Sequence, residues 1–260
     1  MDDLHAAEGR SGVRAFDEDP SIRWLFVFTH PDDELGLCAW IRRLVRAGAS
    51  VDVCWVHDVP VRRAEAAANA RELGLSEDRL HFLSGSDGRI AEEMPDLWPK
   101  LREVVRRVRP DRVATIAFEQ GHLDHDSTNL LVHRSFEGPV FEYPMYHPYT
   151  RRIQTLNRFA DPYGEEVLPL SEEECRLKKR LARRYPSQNI HSVLLWYHVY
   201  RWLILRPVHL CRTERMRLKT WSDYLTPNLP PRLRAEVLRS PAWARWERAA
   251  RAFLSLADSP

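Results

Sequence analysis

The chain has 260 residues, of which 44% are apolar and 29% charged, and a formal net charge of +2. This composition, low in glycine, fits one sizeable globular domain with an appended subdomain. Four scattered cysteines (Cys38, Cys54, Cys175, Cys211) without a CxxC pair argue against a disulfide framework or a cysteine zinc site, and for a reducing compartment. The charge is unevenly spread: from Ser171 onward there are 18 Lys/Arg against 8 Asp/Glu. That part reads as an arginine-rich helical tail with a solvated face, ahead of a basic surface for an anionic partner, and no nucleic-acid partner is expected.

The first 23 residues are polar and acidic, lack the apolar core of a secretory signal, and are expected to be loose. Trp24 to Thr29 is a continuous apolar run, the mark of a strand buried on both faces. Asp32 to Ala47 carries Leu35, Leu37, Trp40, Ile41, Leu44 and Val45 at helical spacing, stopped by Gly48. The pattern then repeats. "VDVCWV" (51–56) is a strand, Val61 to Leu73 a helix ended by Gly74, and Leu80 to Leu83 a strand leading to "SGSDG". Leu97, Leu101, Val104, Val105 and Val108 mark a third helix. "VATIAF" (113–118) is a strand, Thr128 to Phe136 a helix and Val140 to Tyr143 a strand. Alternating strands and helices predict an α/β fold, a Rossmann-like and mostly parallel sheet flanked by helices. The strand order is not readable. Ligands of such sheets bind beyond the carboxyl ends of the strands, and two polar clusters fall there: "HPDDE" (30–34) and "EQGHLDHD" (119–126).

Past residue 150 the pattern is helical and irregular. Asn189 to Leu205 is apolar almost all round but short, and His198 and Arg201 interrupt it. It is read as a packed helix, ahead of an interfacial or a membrane-spanning one. Two amphipathic helices, around Leu233 to Leu238 and Trp243 to Leu256, end the chain. The expected organisation is a flexible segment 1–22, an α/β catalytic domain 23–190, and a helical C-terminal extension 191–260 packed on it.

"HPDDE" alone is a good helix start, because proline lacks an amide hydrogen and carboxylates favour the positive end of the helix dipole. The second cluster changes that weighting. His30, Asp33 and His125 could supply two imidazoles and a carboxylate from the ends of two strands, a set that suits Zn2+ or Fe2+ and leaves a position for water. Neighbouring side chains at a helix start diverge, so Asp32 can face that water while Asp33 faces the metal.

"HPDDE" followed some ninety residues later by "HLDH" resembles the PIG-L (LmbE-like) family of metal-dependent deacetylases acting on N-acetylglucosamine conjugates. "RRAE" (62–65) before "LGL", "FLSGSDGRI" (82–90) and "KKRLARRYPSQ" (178–188) are similar to further family elements. The resemblance spans roughly residues 24 to 190. It implies one divalent ion, Zn2+ or Fe2+, held by His30, Asp33 and His125. It further implies Asp32 as general base and later proton donor, His122 as an imidazolium stabilising the oxyanion, and Asp124 orienting a histidine. Arg62 and Asp87 would bind sugar hydroxyls. Glu34 is read as a helix-start or supporting residue, and His57 as structural or substrate-facing. Glu119 and Gln120 are weaker candidates for a direct role, and His147 is read as a surface histidine. The loop "HDVPVRRAE" lacks the glycine usual in relatives, which leaves the substrate open.

The expected activity is hydrolysis of the acetamide of a small amino-sugar conjugate by a cytoplasmic enzyme. Membrane association is disfavoured but stays open, as does a homo-oligomer. The alternatives are hydrolysis of a different amide, on a glycolipid or natural product, and a non-catalytic Rossmann-like binding module. The absence of G-x-G-x-x-G, P-loop and G-x-S-x-G sequences disfavours a nucleotide binder and a serine hydrolase.

Overall fold

β1 (Trp24–Phe28) is apolar and buried at every position. Its side chains divide by parity, as a pleated strand requires: Trp24, Phe26 and Phe28 enter one core, Leu25 and Val27 the other. The computed structural model describes residues 13–205 and 210–257. After β1 come a 3-10 turn (Asp33–Gly36) and α1 (Cys38–Ala47), closed by Gly48 in the left-handed region. β2 (Val51–His57), α2 (Pro60–Leu73), β3 (Leu80–Gly85) and α3 (Ile90–Val108) follow. β4 (Arg112–Ile116), α4 (Leu123–Ser135) and β5 (Val140–Tyr143) complete the alternating part. β6 (Tyr146–His147) pairs with β7 (Thr155–Leu156), and β8 (Glu165–Pro169) leads into α5 (Glu172–Ala182) and α6 (Ile190–Leu203). β9 (Thr213–Leu218), α7 (Pro231–Val237) and α8 (Pro241–Ala257) end the described chain.

Seven strands form one sheet in the order β3-β2-β1-β4-β5-β9-β8. β1 to β5 run parallel, while β9 lies antiparallel to β5 and β8 antiparallel to β9. This is the expected α/β class. The winding proceeds outward from β1 through β2 to β3, then returns to place β4 on the other side of β1. That reversal opens a crevice at the carboxyl ends of β1 and β4. α1 and α5 pack on one face of the sheet, and α3, α4 and α8 contribute the core of the other.

Two helices begin earlier than their apolar periods suggest. α3 starts at Ile90 and runs through Pro95 and Pro99, because Ile90, Met94, Leu97, Leu101 and Val104 bury one continuous stripe that outweighs the hydrogen bonds the prolines forgo. α4 starts at Leu123 because His122 is its N-cap, its ring accepting from the backbone N–H of Asp124.

Three expectations are amended. Of the segment read as loose, residues 1–12 lie outside the described part. Of the remainder, a short part packs: Ala15 is buried and donates its N–H to Glu166, and Phe16 stands edge-on to Trp40, while Glu18 to Ser21 are exposed. The C-terminal extension also supplies β9 to the main sheet, which its helical reading did not contain. α6 is covered on one side only, about Ile190, Leu194, Tyr197 and His198. No described helix is long and apolar enough to cross a membrane. Trp243 and Trp246 of α8, by contrast, are core residues, the latter donating to the Tyr224 carbonyl.

Candidate metal centre and active-site pocket

The strand order explains why two motifs ninety residues apart meet: His30 follows β1 and His122 to Asp126 follow the adjacent β4. His30, Asp33 and His125 are all buried, and each offers a ligand atom within 4.8 Å of the others, an arrangement that could hold a metal ion. Asp33 Oδ2 lies 3.6 Å from His30 Nδ1 and 3.4 Å from His125 Nε2. It also accepts the His30 backbone N–H at 2.8 Å, which closes the turn. His30, His122 and Asp124 form a second group of the same kind, sharing His30.

Asp124 is fully buried and joins three elements. Its carboxylate accepts the N–H of Gly88 (2.6 Å) and of Ile90 (3.2 Å) at the start of α3, and lies 3.3 Å from His30 Nε2. The histidine it orients is therefore His30, while His122 Nδ1 stands 3.9 Å away. Burial works against a charged His30, but Asp124, Asp33 and Asp87 outweigh it and raise its pKa. Burial likewise works against the Asp33 carboxylate, yet His125 and His30 hold its pKa far below the usual range.

Asp32 sits on backbone with φ 123°, a conformation that L residues adopt only under constraint. The constraint is Glu34. Its carboxylate accepts the Asp32 N–H at 2.9 Å and the Trp55 indole N–H at 3.3 Å, and Tyr185 donates its hydroxyl to the other oxygen. Burial, reinforced by Asp33 and Glu34, raises the Asp32 pKa well above the ordinary value. Arg62 Nη2 lies 3.8 Å from Asp32, and its Nη1 donates to Asp87 at 3.1 Å. Asp87 Oδ1 is in turn 3.4 Å from His30 Nε2.

His122 departs from the expected imidazolium: burial and the neighbouring His125 lower its pKa to about 4, so its ring is neutral near pH 7. Because Nδ1 accepts the Asp124 N–H, the ring proton resides on Nε2, a donor. His57 is buried with Nδ1 on the Gly85 carbonyl, 2.8 Å away. Glu119 faces away from the pocket, 3.3 Å from Arg217, and Gln120 is buried beneath. His147 is buried beside Glu119 rather than on the surface.

A cavity of about 380 Å³ opens over these groups, lined by His30, Asp32, Asp33, Arg62, Asp87 and His122 at its polar end. Gln188, which with Ser187 was read from the sequence as either reaching the site or capping a helix, lines it, and so do Lys178 from the same 178–188 resemblance and Tyr146 and Asn157, which were not singled out. Lys178 is fixed by Glu214, 3.0 Å away on β9, and Glu65 of α2 accepts from Ser187, so the "RRAE" and "YPSQ" segments meet. The cavity continues over apolar Leu35, Met145, Leu156, Ile190 and Leu194. The loop under it admits only glycine at 121, where a Cβ would lie 1.8 Å from the Tyr146 carbonyl oxygen.

The PIG-L family, described as GlcNAc-PI de-N-acetylase, matches residues 25–136. No curated protein matches the sequence. Among solved structures, a conserved protein of Thermus thermophilus is 23% identical, with a TM-score of 0.56 over 78% of this chain and 97% of its own. A deacetylase of teicoplanin biosynthesis is 17% identical, with a TM-score of 0.55 over 77% and 99%. The N,N'-diacetylchitobiose deacetylase of Pyrococcus horikoshii is 16% identical, with a TM-score of 0.51 over 78% and 87%. These are likenesses of fold. Residues 25–136, from β1 through α4 and including both polar motifs, are a PIG-L family domain.

Proposed function

We propose that the protein is a metal-dependent N-deacetylase, hydrolysing the acetamide of an N-acetylglucosamine-type conjugate to acetate and a free amine. The observation that carries this reading is the convergence of His30, Asp33 and His125 at the crevice between β1 and β4, with Asp32 and His122 on the rim of the same cavity. The donor set fits a divalent ion: His125 Nε2 is buried with no hydrogen-bond partner, and two imidazoles with one carboxylate suit Zn2+ or Fe2+. A zinc-inhibited form is recorded for the teicoplanin deacetylase.

When bound, the ion supplies Lewis acidity, polarising the amide carbonyl and acidifying water. Asp32 accepts a proton from the attacking water, whose oxygen bonds to the carbonyl carbon. His122 donates its Nε2–H to the carbonyl oxygen as negative charge grows there. As the C–N bond breaks, Asp32 returns the proton to the leaving nitrogen. Asp124 holds the His30 ring and the start of α3 in one unit. Arg62 and Asp87, paired at the polar rim, would bind sugar hydroxyls. Four free cysteines suit a reducing, cytoplasmic setting. The apolar continuation of the cavity favours a second reading, hydrolysis of a longer acyl amide.

Amine release from a panel of N-acetylglucosamine conjugates and N-acyl analogues tests both. Turnover abolished by chelation and restored by Zn2+ or Fe2+ is the expected result. Turnover indifferent to chelation would overturn the reading, as would no release from any amide.

A further inference from the structure

α6 is covered on one side and bare on the other. Val193, Leu195, Trp196, Trp202, Leu203 and Leu205 are each more than half exposed, between 54% and 88%. Four of them, with the less exposed Val199 and Tyr200, form two adjacent rows on α6, Leu195–Val199–Trp202 and Trp196–Tyr200–Leu203, so the exposed side is continuous and apolar; Leu205 follows the helix end. The chain around it is free of negative charge: residues 175–213 hold nine Lys/Arg and no Asp/Glu. On α5 and its C-cap, Arg176, Lys179 and Arg183 fall at i, i+3 and i+7, exposed on one face, with no acidic partner among the described residues. Between the two helices a cavity of about 390 Å³ is lined by Lys179, Arg183, Leu194, Leu195 and His198. It shares Leu35, Lys178, Leu194 and Leu210 with the pocket over His30 and Asp32.

We propose that the α5–α6 face docks on an anionic lipid surface, with α6 lying in the interface and the active-site pocket opening toward the bilayer. Tryptophan and tyrosine are the residues of the membrane–water boundary, and unpaired lysine and arginine beside them answer anionic headgroups. The helix is 14 residues long, about 21 Å at 1.5 Å per residue, and so lies on the bilayer rather than spanning it. A second copy of the chain is a poorer occupant, since an isologous contact would set each cationic stripe beside its own copy. The two cavities meet at Leu35, Lys178, Leu194 and Leu210, so the docking face adjoins the mouth of the pocket over Asp32 and His122.

Docking is read by co-sedimentation of the full chain with phosphatidylcholine vesicles, with and without phosphatidylglycerol at about one lipid in four. Binding only to the anionic vesicles, weakened by salt, is expected. The charge variant Arg176→Glu/Lys179→Glu/Arg183→Glu should lose roughly 100-fold in affinity. Trp196→Ser/Trp202→Ser should lose at least about tenfold while keeping its circular dichroism spectrum and its rate on a water-soluble acetamide. Equal binding to both vesicles, no binding to either, or variants that bind like the parent would overturn the proposal. So would a dimer dispersed by the tryptophan changes in a protein that ignores vesicles. Sedimentation needs no substrate, so absence of docking and absence of amide hydrolysis are separate failures.

Discussion

Replacing Glu34 by alanine removes the acceptor for three buried donors: the Asp32 N–H, the Trp55 indole N–H and the Tyr185 hydroxyl. Each donor left without a partner costs about 1–3 kcal/mol. Tyr185 can turn and water can enter part of the space, so the net loss is about 3–6 kcal/mol of unfolding free energy. The functional effect is separate. Asp32 is held at φ 123° only while Glu34 binds its N–H, and a free backbone there relaxes toward ordinary angles. A carboxylate displaced by about 1 Å costs on the order of 100-fold in rate. Glutamine makes the informative contrast. Its amide oxygen can face Asp32 and Trp55 while its NH2 donates to Tyr185, leaving about 1 kcal/mol of lost charge assistance and a rate within about tenfold of the parent. Urea unfolding and amine release on Glu34→Ala and Glu34→Gln check this. An alanine variant as stable and as active as the parent would refute the role assigned to Glu34.

Asp32→Asn should bind the metal as the parent does and lose about 100- to 10,000-fold in turnover, read by metal content beside amine release. Gly121→Ala drives a Cβ to within 1.8 Å of the Tyr146 carbonyl oxygen, which is backbone and cannot swing aside. It should cost about 1–3 kcal/mol in urea unfolding. Burial raises the Glu119 pKa from 4.5 to about 8, and the nearby Arg217 guanidinium is shared with Glu142 and only partly opposes this. A raised folded pKa means stability fully present below pH 4.5 and lost as pH rises toward about 8. In Glu119→Gln that drift should flatten in unfolding curves taken across the same window.

Much of the architecture was legible in the sequence because β1, β2, β4 and β5 are buried along nearly their whole length and read as largely apolar runs, while β3, at the sheet edge, is only half buried. Their order was not, since pairing depends on contacts that no local pattern encodes, and that order is what brings His30 to His125. α4 was misjudged at its start because Asp124, Asp126, Ser127, Thr128 and Asn129 are polar yet buried, so its apolar period is blurred. β9 was missed because "TERMRL" looks like an arginine-rich helical tail; its inward residues are Glu214 and Met216, the former neutralised by Lys178. The three candidate ligands and Asp32 stood out because they fall in polar clusters that follow β1 and β4. Glu34 was recognised only as a supporting group, since its partners Trp55 and Tyr185 come from distant segments. The charge state of His122 was misread because it depends on burial beside His125.

One metal ion held by His30, Asp33 and His125 is what the proposed chemistry requires first. Elemental analysis of the purified protein, His125→Ala and Asp33→Ala beside Asp32→Asn, measures this without any substrate. One divalent ion per chain in the parent and in Asp32→Asn, and its loss from the other two, is the predicted result. A parent without a metal, or His125→Ala loaded as fully as the parent, would contradict it.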